Sequence, residues 1–277
     1  MTDFDRHYNE SMVSAEASDI VNQGPRIFLI GRPAFDVKAF LAFLAQEQFG
    51  WRRTTGAAEA EELVEVAGRS CYMSFGKKQS PRTNAEFIHN LVQMGHESVL
   101  EHVSWTFLLT NISRAFTHQL VRHRVGFAFS QLSQQYHDES EASFVMPSYL
   151  TNMPEAQREW EKAVRSAKKA YELITASLHR NGVGEDLDTK EANRAIRSAA
   201  RSILPNATET TIVITVNARA LRHFLKVRGS VVGDIEMRQV ATELLKAVKK
   251  EAPALFFDFD INKLSDGLPI VEYRQAA

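Results

Sequence analysis

The feature that most constrains the fold is the order in which apolar periods follow one another along the chain. Residues 210–216, TTIVITV, alternate threonine with isoleucine or valine, the pattern of a half-buried strand. Residues 26–30, RIFLI, form a short apolar run bounded by Gly31, Arg32 and Pro33 and read as a first strand. Residues 103–110 carry Trp105, Phe107, Leu108 and Leu109, dense enough for a strand buried on both faces, and residues 254–257 read as a last short strand. Between them apolar residues recur at helical spacing over 35–49, 59–71, 84–93, 155–181, 191–203 and 236–251, the first two expected to face the core. Strands and helices do not alternate regularly, and no glycine-rich dinucleotide fingerprint follows a strand. The expectation is an α+β fold, mixed helices around a mainly antiparallel sheet. Residues 1–24 are polar and lack an apolar period, so they are expected to form a flexible arm ahead of a single domain over 25–277.

Charge narrows the partners. A formal net charge of −1 gives no global field toward nucleic acid or an anionic membrane, so neither is an expected partner and any anion site must be local. One cysteine, Cys71, rules out an intrachain disulfide and a cysteine-rich zinc site; it lies at the end of a helical period and is expected to be buried as a small hydrophobe. No apolar run approaches the roughly 18 residues of a membrane span and no basic-then-apolar leader is present, so the expected location is cytoplasmic.

The local anion site is written into residues 119–136, QLVRHRVGFAFSQLSQQY. Ser113 is placed to cap a helix that packs Phe116 and Leu120 and carries Gln119 and Arg122 one turn apart. Arg122, His123 and Arg124 follow at the helix end, Gly126 lets the chain leave, and Ser130, Gln131, Ser133, Gln134 and Gln135 supply neutral hydrogen-bonding groups. A cationic cluster beside a polar loop suits a phosphorylated ligand; a solvated basic turn is the plainer reading of the same residues. His96, Glu97, Glu101 and His102 are ordinary metal-ligand types, but histidines six apart point to different helix faces, so no metal is expected.

The order of Glu101–His102, Arg122-His123-Arg124 and the QLSQxY of 131–136, followed by RSILPNATETTIVITVNARALRHFLKVR at 201–228 and IEMRQVA at 235–241, resembles the flavin-dependent thymidylate synthases over about residues 67–250. The resemblance implies reductive methylation of dUMP at uracil C5 to dTMP. Methylenetetrahydrofolate would be the carbon donor, FAD the cofactor and NADPH its reductant, in a homotetramer with shared active sites. His102, Ser104, Arg122, His123, Arg124, Gln131, Asn217, Arg219 and His223 match FAD-contacting positions. Gln119, Arg122, Gln131, Ser133, Gln134, Gln135, Arg201 and Arg228 match nucleotide-holding positions, with Arg228 at the uracil edge as the catalytic group, stabilising developing negative charge. A homologue acting on UMP or another uridine nucleotide, and a noncatalytic nucleotide binder, are the alternatives.

Three departures from the family pattern stand out. Eight residues separate Arg124 from Ser133 where the signature has seven, which a bulge within VGFAF would absorb. Gln135 stands where an arginine is usual, exchanging a bidentate cation for an amide. Gly233-Asp234-Ile235 replaces the usual Ala-Gln-Trp.

Overall fold

The structure, a computed structural model, describes residues 19–274. Residues 1–18 of the expected arm lie outside them. In chain order the strands are β1 (Ile20–Val21), β2 (Arg26–Gly31), β3 (Ser104–Ser113), β4 (Phe127–Gln131), β5 (Phe144–Val145), β6 (Glu209–Asn217), β7 (Phe259–Lys263) and β8 (Pro269–Tyr273). The helices are α1 (Val37–Gln46), α2 (Glu59–Ser70), α3 (Asn84–Gln93), α4 (Arg114–Leu120), α5 (Pro154–Arg180), α6 (Thr189–Ala200), α7 (Ala218–Arg228) and α8 (Ile235–Glu251). The central sheet runs β2-β3-β6-β4 and is antiparallel throughout, in line with the expected α+β class. β1 pairs in parallel with β5, and β7 with β8 forms a separate hairpin.

One face of the central sheet carries the core. Trp105, Phe107 and Leu109 of β3 and Ile212, Ile214 and Val216 of β6 are buried, and they pack with Leu221, Phe224 and Leu225 of α7 and Val240, Leu244, Leu245 and Val248 of α8. Each such side chain contributes about 1.5–3 kcal/mol when fully removed from water. The opposite face presents Phe28, Thr106, Leu108, Val213 and Thr215, which are only partly covered or exposed. β3 is therefore buried on one face, not on both as its dense apolar run suggested; Thr106, Leu108 and Thr110 all point to the open side.

Helix starts follow their side chains. In α3 the Thr83 Oγ1 accepts from the Glu86 N–H at 3.3 Å while the Glu86 carboxylate accepts from the Thr83 N–H at 2.7 Å, a reciprocal cap. Asn217 begins α7 and Asp234 begins α8 by the same device, their side chains accepting from Ala220 N–H at 2.8 Å and Met237 N–H at 3.1 Å. The beginnings of two helices that frame the site are thus set by single polar residues.

Other expectations are corrected. α2 faces the core as expected, but in α1 only Leu44 is buried, and Phe40 packs on Phe35, Trp51 and Phe75 in an aromatic cluster of its own. Residues 254–257 form no strand; Pro253–Phe256 is a 3-10 turn, since proline starts a helical turn readily and cannot donate to a ladder. Cys71 is exposed, because α2 ends at Ser70 and the chain turns outward through residues 71–73.

Candidate functional site

The Arg-His-Arg triplet sits just beyond α4, where Ser113 Oγ caps the helix by accepting from Phe116 N–H at 3.1 Å and Phe116 and Leu120 are buried. The chain then turns at Val125 and Gly126. Gly126 has φ +74°, and a Cβ there would lie 2.7 Å from Asn217 Nδ2 and 2.6 Å from Ala220 Cβ. The pairing of β4 with β6 then runs without a register shift from Phe127–Val216 to Gln131–Ile212. The strand itself therefore holds no bulge, and Val125 and Gly126 form a turn ahead of it. Gly126 also accepts from Asn217 N–H at 3.0 Å through its carbonyl, which holds the triplet against the start of α7.

The residues singled out from the sequence fall into three groups. In the first, Arg228 Nε donates to His123 Nε2 at 3.1 Å and Arg228 Nη1 reaches Gln119 Oε1 at 3.5 Å, while Gln119 Nε2 donates to Asp234 Oδ2 at 3.0 Å. The second gathers at the start of α7. Asn217 is the register partner of Ser104, Arg219 pairs with Glu101 at 2.5 Å and Glu97 at 3.7 Å, and His102 and His223 are exposed. His223 also meets His123 edge-on, with ring centroids 6.3 Å apart, so the first two groups adjoin.

The third group gathers around the loop after β4. Gln135 Nε2 donates to Ser198 Oγ at 3.0 Å, one helical turn before Arg201, and the Gln135 N–H donates to Ser133 Oγ at 3.3 Å. Gln134 is buried and its Nε2 lacks a protein partner. Gln131 turns its amide inward, donating to Thr117 Oγ1 at 3.1 Å and Thr210 Oγ1 at 3.4 Å. Among the described residues no hydrogen bond or ion pair joins this third group to Arg228, Gln119 or His123.

Arg122 and Arg124 are exposed and, among the described residues, neither guanidinium has an ion-pair or hydrogen-bond partner. Two unpaired cations beside a forced glycine turn fit the phosphate-bearing part of a dinucleotide such as FAD. Arg219 differs, because Glu97 and Glu101 already neutralise it. A carboxylate pair at that position leaves Arg219 less charge and fewer free donors to offer a phosphate.

Two residues of the site were not singled out from the sequence. Asp234 lies in the segment noted only as a departure from the family pattern. Arg114, the first residue of α4, donates from Nη2 to Leu132 O at 2.9 Å and keeps a buried Nε without a partner. Burial lowers its pKa, Glu139 opposes that shift, and nearby Arg201 adds to it. A cation in the first turn of a helix opposes the helix dipole, and that mismatch is the signal in the sequence that points to Arg114.

His123 is half-buried, and accepting from Arg228 on Nε2 requires the neutral ring with its proton on Nδ1. Burial, then Arg228, then His223 hold its pKa below the ordinary imidazole value. As pH falls below about 6.5 the unfolded chain takes up this proton before the folded one does, so stability declines toward the lower folded pKa and is regained as pH rises. Urea midpoints measured between pH 7 and 5 should fall less steeply in His123→Asn than in the wild type.

A cleft of about 410 Å³ opens on the other side of Asp234, lined in part by Asn111, Ser113, Tyr149, Glu236 and Gln239. The Glu236 carboxylate accepts from the Ser113 N–H and Oγ–H at 2.6 Å each, and burial raises its pKa. These bonds fasten α8 to the start of α4 and so brace Asp234 and Gln119. No helix among the described residues is long and apolar enough to cross a membrane.

Comparison with known proteins gives concordant results. Residues 54–254 match the family described as thymidylate synthase complementing protein. The chain is 40% identical over 231 residues to a flavin-dependent thymidylate synthase of Corynebacterium aurimucosum, covering 83% of this chain and 92% of the relative. It is 42% identical over 229 residues to the flavin-dependent thymidylate synthase of Mycobacterium avium, covering 82% and 90%. With the family match spanning most of the chain and its basic turn, α7 and α8 all inside it, this chain belongs to the flavin-dependent thymidylate synthase family.

Proposed function

We propose that the chain methylates dUMP at uracil C5 to give dTMP, with FAD as cofactor, methylenetetrahydrofolate as carbon donor and NADPH as reductant. The observation that carries this reading is the tethering of Arg228. Its Nε and Nη1 are engaged by His123 and Gln119, while Nη2 has no protein hydrogen-bond partner among the described residues. The Nε–H shares one edge of the fork with Nη2 and Nη1 shares the other, so one anchor on each edge fixes the plane of the guanidinium and leaves Nη2, between them, to meet the planar edge of a pyrimidine. C5 becomes nucleophilic as negative charge gathers on the ring's N3 and O2, and a fixed cation at that edge stabilises the charge as it develops.

FAD, when bound, supplies the hydride of the reductive step. Arg122 and Arg124 are the free cations that would hold its phosphates; Asn217, His102, Ser104, His123, Arg219, Gln131 and His223 complete the group assigned to it. Ser133, Gln134, Gln135 and Arg201 take the nucleotide, with Gln119, Arg122 and Arg228 on its base side. Among the described residues no hydrogen bond or ion pair joins Arg228 or Gln119 to the Ser133–Arg201 group, and the site is read as completed by a second copy, in a homotetramer with shared active sites. The proposed location is the cytoplasm, and neither nucleic acid nor a membrane is a proposed partner.

Turnover of dUMP and UMP by the wild type and by Gln135→Arg tests the reading. The purified protein should be yellow, its FAD should be reduced by NADPH, and dTMP should form only with dUMP and methylenetetrahydrofolate present. Gln135→Arg should bind dUMP about tenfold more tightly, since a charge-assisted phosphate bond is worth about 1.5–3 kcal/mol and the half-exposed site discounts it. Faster turnover of UMP than of dUMP would move the assignment to a uridine nucleotide. Protein that cannot be loaded with FAD would end it.

A further inference from the structure

We propose that Asp234 is a positioning residue that fixes the orientation of the Gln119 amide and through it the Arg228 guanidinium; this deepens the proposed function and rests on Arg228 acting at the uracil edge. Asp234 engages both of its oxygens. Oδ1 accepts from Met237 N–H at 3.1 Å and caps α8, and Oδ2 accepts from Gln119 Nε2 at 3.0 Å. The second bond decides which end of the Gln119 side chain faces Arg228. A carboxylate only accepts, so it captures the NH₂ end of the amide and leaves Oε1 toward Arg228 Nη1, 3.5 Å away. With the amide reversed, an NH₂ group would confront the guanidinium, donor against donor. His123 Nε2, 3.1 Å from Arg228 Nε, is then the remaining anchor of the cation.

An aspartate accepts on both oxygens and leaves one arrangement. Its placement is itself over-determined, because the first turn of α8 is held to Ser113 through Glu236.

Capping and positioning are separable by substitution, since Asp, Asn and Ser are comparable helix caps. Asp234→Asn keeps the cap but points its own NH₂ toward Gln119, which favours the reversed amide. Asp234→Ser keeps the cap and offers Gln119 neither preference. In full-length, FAD-loaded protein, kcat for dUMP should follow the order Asp, then Ser, then Asn, with the Asn variant down by on the order of tenfold or more for a misplaced catalytic group. The dUMP dissociation constant, measured by equilibrium titration of the same preparations, should change less than kcat, and melting temperatures should stay together. Equal kcat in all three proteins, or losses that track melting temperature, would overturn the proposal and leave Asp234 a helix cap only. A wild type that binds dUMP and turns it over separates that failure from failure of the functional reading, which would show as no turnover in any of the three.

Discussion

Arg228→Ala is expected to lower kcat for dUMP by about 10²–10³-fold, the range for removing one pre-organised donor that acts on developing charge. The fold is expected to survive, because the side chain is only half-buried at the last turn of α7 and its loss leaves His123 Nε2 and Gln119 Oε1 beside the same partly open surface. Arg228→Lys should not restore the rate. An ammonium is a point charge without a planar fork, and it cannot engage His123 and Gln119 while presenting a third, coplanar donor group to the base. A second readout follows from electrostatics. Arg228 is one of the causes that lower the His123 pKa, so its removal to alanine should raise that pKa toward the ordinary imidazole value, measurable by NMR titration of the ring. A variant with unchanged kcat and a shifted His123 titration would place Arg228 beside the reacting base without a part in the chemistry.

What the sequence disclosed depended on how local each feature is. β6 was legible because TTIVITV alternates cleanly, and the helix over 236–251 because its apolar stripe continues for four turns. β3 was placed but given the wrong burial, since Leu108 and Leu109 are consecutive and only the sheet decides that Leu108 turns to the open face. The β7–β8 hairpin was missed although Asp266-Gly267 lies between its strands and Gly267 has φ +76°, a turn signal present in the sequence. The site divides in the same manner. The basic turn and its polar loop are contiguous and could be read directly, whereas Arg228 meets His123 and Gln119 across 105 and 109 residues and Gln119 meets Asp234 across 115. Local propensity carries no information at that range. The family resemblance named three of those four partners and left out Asp234, where this chain departs from the pattern.

Mixing two inactive variants should restore activity. Arg228→Ala removes the cation proposed to hold the base edge, and Arg201→Ala removes the cation proposed, with Ser133 and Gln135, to take the phosphate side. Within one chain these groups share no hydrogen bond or ion pair among the described residues, and each includes cations that a nucleotide would use. If each site takes its base-edge group from one copy and its phosphate group from another, a mixed pair of the two variants contains one doubly damaged site and one intact site. Co-expression at equal levels makes about half of all pairs mixed, so turnover should return to about a quarter of wild type although either variant alone is nearly inactive. Sites built within single chains would carry a lesion in every copy, and the mixture would then be no more active than its components. The result is read from dTMP formation by all of the co-expressed protein, with a different affinity tag on each variant to show that mixed assemblies form. Because each lesion removes a cation at a different end of the nucleotide, recovery would also place the two groups on opposite sides of one bound dUMP, a geometry that neither chain supplies alone.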